Sequence, residues 1–168
     1  PVLNIQDKPL YGYRGLMLDC SRHFWTVDEL KESIDQMAFF KFNTLHMHLT
    51  DNQAWRMAVD KYPSLIKEGT YYYDFPEMSG KYYSKEDLKE IVRYAASRGI
   101  EIIPEIDLPG HSTALLAALP ELSCKGGEFE TYPEERPWSK RKRADENMIC
   151  VGNPKSYEFA EDIIDALI

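Results

Sequence analysis

The chain has 168 residues, 43% of them hydrophobic, and a formal net charge of −8. That is enough for one packed domain and argues against wholesale disorder. An acidic chain is a poor general binder of nucleic acid or anionic membrane, whose phosphates repel it. No apolar run approaches the roughly 20 residues needed to span a bilayer.

The start, PVLNIQDKPLYGYRG, has no charged leader followed by an apolar stretch, which leaves a removed signal peptide or an upstream domain open. YRGLMLD (Tyr13–Asp19) is an apolar run that reads as a buried strand over 14–19. TVDELKESIDQMAFFKF follows, with Thr26 as N-cap and Glu29 at the capping-box position. Val27, Leu30, Ile34, Met37, Ala38 and Phe40 recur at helical spacing, which predicts a helix over 27–40. NTLHMHL (Asn43–Leu49) reads as the second strand, and a long aromatic loop comes after it. SKEDLKEIVRYAASRG repeats the helix signature over 85–98, with Ser84 as N-cap, Asp87 three later and Gly99 at the end. IEIIPEID predicts a third strand over 100–106. An irregular stretch to about Asn147, containing the basic run RPWSKRKR (136–143), reads as solvated loop. NPKSYEFAEDIIDALI predicts a last helix over 155–167, started by Asn153 or Ser156. Cys20, Cys124 and Cys150 are far apart and odd in number, which suggests neither a disulfide framework nor a zinc knuckle.

The order βαβαβα implies an α/β fold with a parallel sheet and right-handed crossovers. No Gly-rich phosphate loop follows any strand. The strand exits instead carry Asp19-Cys20-Ser21-Arg22, His48-Leu49-Thr50-Asp51 and Glu105-Ile106-Asp107, the last before Pro109-Gly110-His111. Carboxyl ends of parallel strands are where such folds place their chemistry. His46 and His48 share a strand face. With Asp51 and His111 they could begin a metal site, or they could be hydrogen-bonded interior residues. The turn at Pro109-Gly110 can aim Asp107 and His111 into one cleft, where a carboxylate would fix the tautomer of the imidazole. Trp25, Trp55, Trp138 and Tyr71-Tyr72-Tyr73 are candidate sugar platforms or packing residues. The tyrosine run favours packing, and Trp55, beside a strand exit, stays open.

YRGLMLDCSRHF, KFNTLHMHLTDNQAWR and GIEIIPEIDLPGHS resemble, in order and spacing, the opening of the catalytic barrel of glycoside hydrolase family 20, the β-N-acetylhexosaminidases. The terminal CVGNPKSYEFAEDII is similar to the family's approach to its fourth strand. The resemblance implies the first three βα units of a (β/α)₈ barrel, with residues 1–168 a partial catalytic domain. It implies removal of terminal N-acetylglucosamine or N-acetylgalactosamine from glycans, with no metal or cofactor. In that family the substrate's acetamido oxygen attacks the anomeric carbon while a glutamic acid protonates the leaving oxygen, a departure from the two-carboxylate retaining scheme. The substrate class points to a secreted or periplasmic protein.

Carried over by motif, Arg14 matches an arginine gripping the terminal sugar, with Arg22 as the fallback because Arg14 lies early in its strand. Trp55 is assigned to substrate binding. Asp51 and His111 match a relay behind the catalytic glutamate, with Asp107 in the same cluster. His46 and His48 match interior barrel positions. The family's His-x-Gly-Gly-Asp-Glu run has no counterpart: Asp28-Glu29 and Asp145-Glu146 lack the glycines and the strand before them. The resemblance therefore implies that this chain alone is inactive and, with open sheet edges, self-associates. Two other readings stand beside it. One is a metal-dependent amidohydrolase-like barrel using His46, His48 and His111. The other is a non-catalytic half-barrel that binds carbohydrate.

Overall fold

In the computed structural model, residues 2–71, 76–129, 131 and 148–167 are described. Trp138, Tyr72, Tyr73 and the basic run at 136–143 lie outside them.

Three strands form one parallel sheet in the order β1 (Gly15–Asp19), β2 (Thr44–His48), β3 (Glu101–Glu105). Each expected strand is present and a residue shorter at one or both ends. The crossovers are α1 (Val27–Phe39) and, after the short α2 (Ser64–Lys67), α3 (Lys85–Ser97). Both crossover helices, α1 and α3, start at complete capping boxes, Thr26 with Glu29 and Ser84 with Asp87. These satisfy amides that would otherwise lack partners at the first turn. α3 ends at Arg98 and the chain turns at Gly99, whose φ of 72° suits a residue without a Cβ. Phe40, placed on the apolar stripe by spacing, is exposed, and so is Val92 of α3. Phe40 falls just past the end of α1, where the helical face no longer continues.

Leu30, Ile34 and Met37 of α1 and Ile91 and Ala95 of α3 are buried with Leu45 and Met47 of β2. The other face of the sheet is set by register. Gly15, Thr44 and Glu101 form one row, Met17, His46 and Ile103 the next, and Asp19, His48 and Glu105 the last, at the strand exits. Met17 and Ile103 remain exposed on that face.

Two further elements were not legible in the sequence as separate helices: α2 and the short α4 (Thr113–Ala118), which follows the third exit. α5 (Pro154–Leu167) begins after Asn153, whose Oδ1 accepts from the Lys155 amide. α5 docks by Phe159, which packs against Trp55 and Tyr62. Asp162 adds bonds from Lys61 and Tyr62.

One cysteine expectation is corrected. Cys124 and Cys150 form a disulfide, their Cα atoms 4.7 Å apart and 26 residues apart in sequence. Linear spacing carries no information about an approach made by tertiary folding. Closing a loop of that length is worth about 3.5 kcal/mol. Cys20 is free and buried, and burial pushes its thiol up to about 12.

Phe159 is buried at 1% exposure, whereas Ile164 on the same helix is 57% exposed. Phe159→Ala is expected to cost about 3–5 kcal/mol of stability, and Ile164→Ala to stay within about 0.5 kcal/mol. Urea unfolding followed by circular dichroism measures both.

Candidate active site

β2 runs directly into a tight return. Thr50 and Trp55 form an antiparallel bridge, and the Asp51 amide donates to Ala54 O. This turn fixes Asp51 just past the exit of the central strand, with its side chain 1% exposed. Four groups from three parts of the chain meet its two oxygens. On Oδ1, the Asn52 amide donates at 2.6 Å and His111 Nδ1 lies at 2.9 Å. On Oδ2, His48 Nε2 lies at 2.9 Å and Arg22 Nη2 at 2.7 Å. Burial works against this carboxylate, yet the bonds from His48, Asn52 and His111 and the Arg22 charge hold it below the ordinary range.

His48 continues the chain of contacts. Its Nδ1 faces Glu105 Oε1 at 2.7 Å, and the other Glu105 oxygen meets His46 Nε2. The Asp51 bond raises His48 most, burial opposes it, and the Glu105 bond adds to the rise; the result is about 9. Burial works against Glu105 too, but His48 and His46 hold it low. Asp107 goes the other way. Burial, then a hydrogen bond and repulsion from Glu105, raise it above the usual carboxylate range.

His111 occupies the left-handed region at φ 51°, uncommon outside glycine. The turn is held by Ser112 Oγ on the carbonyls of Pro109 and Gly110. Asn52 Oδ1 accepts from the Thr113 amide and hydroxyl, which ties the β2 exit to the start of α4. The Asp107 amide donates to Thr50 Oγ1. His111 is 55% exposed on its side chain, so its ring faces solvent while its Nδ1 is engaged with Asp51.

The structure thus brings Asp51, His111 and Asp107 together, with ligand-type atoms of all three within 4.8 Å of one another. Two expected substrate contacts are corrected. Arg14 precedes β1, at the end opposite the exits, and its guanidinium donates to the carbonyls of Lys41, Tyr11 and Gly12. A residue before a parallel strand cannot face a cleft at the strand's carboxyl end. Arg22, in the loop leaving β1, is the arginine at the cleft, paired with Asp19 Oδ2 and Asp51 Oδ2, each at 2.7 Å. Trp55 is 1% exposed, its indole N–H donating to Met57 O and its ring edge-on to Phe159. Its backbone is at the strand exit, but its ring is core and offers no face to a sugar.

The metal reading required His46, His48 and His111 to converge. Among the described residues, the groupings compact enough to hold a cation are His48, Glu105 and Asp107, and Asp51, Asp107 and His111. His46 is in neither and the other two histidines are in different ones, so the spacing-derived ligand set does not assemble.

Sequence reasoning gave no role to Arg56, or to Glu105 beyond its place at the third strand exit. Arg56 is fully buried, and its guanidinium donates to the carbonyls of Ser21, Met78 and Lys81, stitching the β1 exit to a distant loop. Glu105 could have been found from strand alternation, since the row containing His48 at the exits has to include it.

The model of the family described as "Glycosyl hydrolase family 20, catalytic domain" matches residues 11–168. The chain belongs to glycoside hydrolase family 20. Among relatives, a β-hexosaminidase of Porphyromonas gingivalis is 42% identical over 98% of this chain and 20% of its own length. A β-hexosaminidase of Akkermansia muciniphila is 41% identical over 97% of this chain and 32% of its own. The β-N-acetylhexosaminidase structure from Streptomyces coelicolor superposes with a TM-score of 0.83 at 41% identity, over 96% of this chain and 31% of that one. A Streptomyces plicatus N-acetyl-β-hexosaminidase, in complex with Thio-NAglucal, gives the same TM-score at 43% identity and the same coverage. The chain therefore spans about a fifth to a third of the length of these family 20 members.

The charges at the site set a pH dependence of stability. His48 is raised from 6.5 to about 9. Its contribution is complete below about 6.5 and is lost as pH rises through about 9, on the order of 3 kcal/mol at most. Asp51 and Glu105 are lowered, so their share is present above the usual carboxylate range and lost as pH falls through their depressed values. Raised Asp107 subtracts from that acid-side dependence. Urea midpoints measured against pH should therefore be highest between about pH 5 and 6.5 and decline toward pH 9, and His48→Gln should flatten the alkaline decline.

Proposed function

We propose that this chain is part of the catalytic domain of a β-N-acetylhexosaminidase, contributing the first three βα units of its barrel. The protein removes terminal N-acetylglucosamine or N-acetylgalactosamine from glycans by substrate-assisted retaining catalysis. The observation that carries this reading is the 2.9 Å contact between buried Asp51 and His111 at the strand exits, in a chain of this family. Relatives matched over nearly the whole chain are β-hexosaminidases, and a mutant Streptomyces plicatus enzyme was solved with product GlcNAc.

In this mechanism Asp51 fixes the Nδ1–H tautomer of His111, leaving Nε2 directed to the cleft. There it meets the glutamic acid that protonates the leaving oxygen and modulates that acid's proton. The acetamido oxygen of the substrate closes on the anomeric carbon as the aglycone leaves. Water then opens the resulting oxazolinium ring with retention. Arg22 reaches the ring hydroxyls of the terminal sugar from the β1 exit, with Asp19 and Asp51 holding its guanidinium. Asp107 belongs to the same polar cluster. The sequence contains no Gly-Gly-Asp-Glu run, so the acid and the residue steadying the acetamido nitrogen come from outside these 168 residues. A disulfide persists in oxidising compartments, and the Cys124–Cys150 pair supports a secreted or periplasmic setting.

In protein carrying the whole barrel, Asp51→Asn is expected to lower kcat more than it raises KM, because the pair acts in the transition state. Arg22→Met is expected to raise KM as well. Release of a chromophore from an aryl N-acetylglucosaminide reads both, and unchanged kcat for Asp51→Asn would count against the relay. The 168-residue chain alone is expected to show no enzymatic turnover, since a positioned proton donor by itself supplies about 10²–10⁴ in rate. With Met17 53% and Ile103 39% exposed on the inner sheet face, it is expected to self-associate, which light scattering would show.

A further inference from the structure

His48 is not assigned a role by the reading above, yet it stands between two carboxylates at the sheet's exit end. Its two ring nitrogens each face a carboxylate oxygen, Glu105 Oε1 at 2.7 Å and Asp51 Oδ2 at 2.9 Å. A neutral imidazole has one N–H and one lone pair. In either neutral tautomer a lone pair would point at a carboxylate oxygen, so one proton more is needed in this triad. Asp51 is the poorer holder, because the Asn52 amide donates to Oδ1 and the Arg22 guanidinium to Oδ2, and both favour the ionised carboxylate. Glu105 meets His46 with its second oxygen, and despite burial the bond to His48 with the charge of the two histidines holds its carboxyl below the ordinary range, so it is not the holder either. The proton therefore belongs on His48, where it makes two charge-assisted bonds.

We propose that His48 is an imidazolium clamp joining Asp51 to Glu105 across the exits of β2 and β3, and a positioning residue for the Asp51–His111 pair.

The surroundings fit a cation. Asp19 of β1 stands beside His48 in the same register row, and Glu105 of β3 stands on the other side. Asp51 closes from the exit loop, and Asp107 lies nearby beyond β3. Against these anions stand Arg22, bound to Asp19 and Asp51, and the imidazoles of His46 and His111. His48 is 5% exposed, so water screens little of this.

The clamp determines what Asp51 can do. With imidazolium and guanidinium on Oδ2, Asp51 stays ionised while the reaction runs. It does not accept the Nδ1 proton of His111; it holds it. The pair is then an electrostatic support for His111, and the proton that moves is on the cleft side of the ring. This consequence rests on the functional reading given above, whereas the protonation state of His48 does not.

The first test uses the chain with ¹⁵N-labelled histidine, its resonances assigned by His48→Gln. Both His48 ring nitrogens are expected to be protonated at neutral pH, with a titration midpoint near 9. A single lone pair on His48 at neutral pH, or a midpoint near the ordinary 6.5, would overturn the clamp. The second test uses protein carrying the whole barrel. His48→Gln keeps an N–H donor but removes the charge. It is expected to lower kcat more than it raises KM, and to move the acidic limb of the kcat–pH profile upward by about one to three units as Asp51 loses its counter-charge. A lower kcat with an unmoved limb would mean a merely structural role and refute the positioning claim. If wild-type whole-barrel protein cleaves no N-acetylhexosaminide, the functional reading fails, and the nitrogen spectra still decide the clamp.

Discussion

One buried charge organises the exit end of this sheet. The Asp51 carboxylate sits at 2% exposure, and a carboxylate taken out of water costs several kcal/mol unless it is paired and hydrogen-bonded. Here the compensation comes from every strand end at once. Arg22 arrives from the β1 exit, His48 from β2 itself, His111 from the turn after β3, and the Asn52 amide from the return that follows Asp51. The need to neutralise one group therefore ties the three exits together, beside the apolar packing of Cys20, Leu49, Ile106 and Leu108.

That requirement can be met only because the register is right. Side chains alternate along a strand, so a slip of one residue would turn His48 toward the helices and an apolar neighbour toward the cleft. The register is held from the other face, where Leu45 and Met47 are buried with the stripes of α1 and α3. Capping boxes at Thr26 and Ser84 start both helices at defined residues. Ordinary apolar packing on one face thus positions a row of charged groups, Asp19, His48 and Glu105, on the other.

The same logic explains which site residues were legible. Asp51, Asp107 and His111 follow strand ends directly, so their placement needed only the strand assignment and the motif match. Arg14 and Trp55 were misjudged because position along the chain does not say which way a side chain leaves it. Arg14 is one residue short of β1 and belongs to the opposite end of the sheet. Trp55 has its backbone at the exit, but a large ring gains more by burial against Phe159 than by lying in solvent. Glu105, named only as an exit residue, and Arg56 were given no role because each answers to partners tens of residues away.

What the sequence by itself determined is the local and the periodic. It specified two capped helices, a terminal helix and three apolar runs of strand length, and the alternation that makes the sheet parallel. It also carried the motifs that place the chain in its family. These depend on spacing within about 15 residues, where backbone geometry and burial leave few alternatives. Only the tertiary structure decided that Cys124 and Cys150 meet, that Arg22 and not Arg14 stands at the cleft, and that His48 lies between two carboxylates. Those outcomes arise where separate segments must share one buried, charged space, and the charge balance of that space is a property of no single segment.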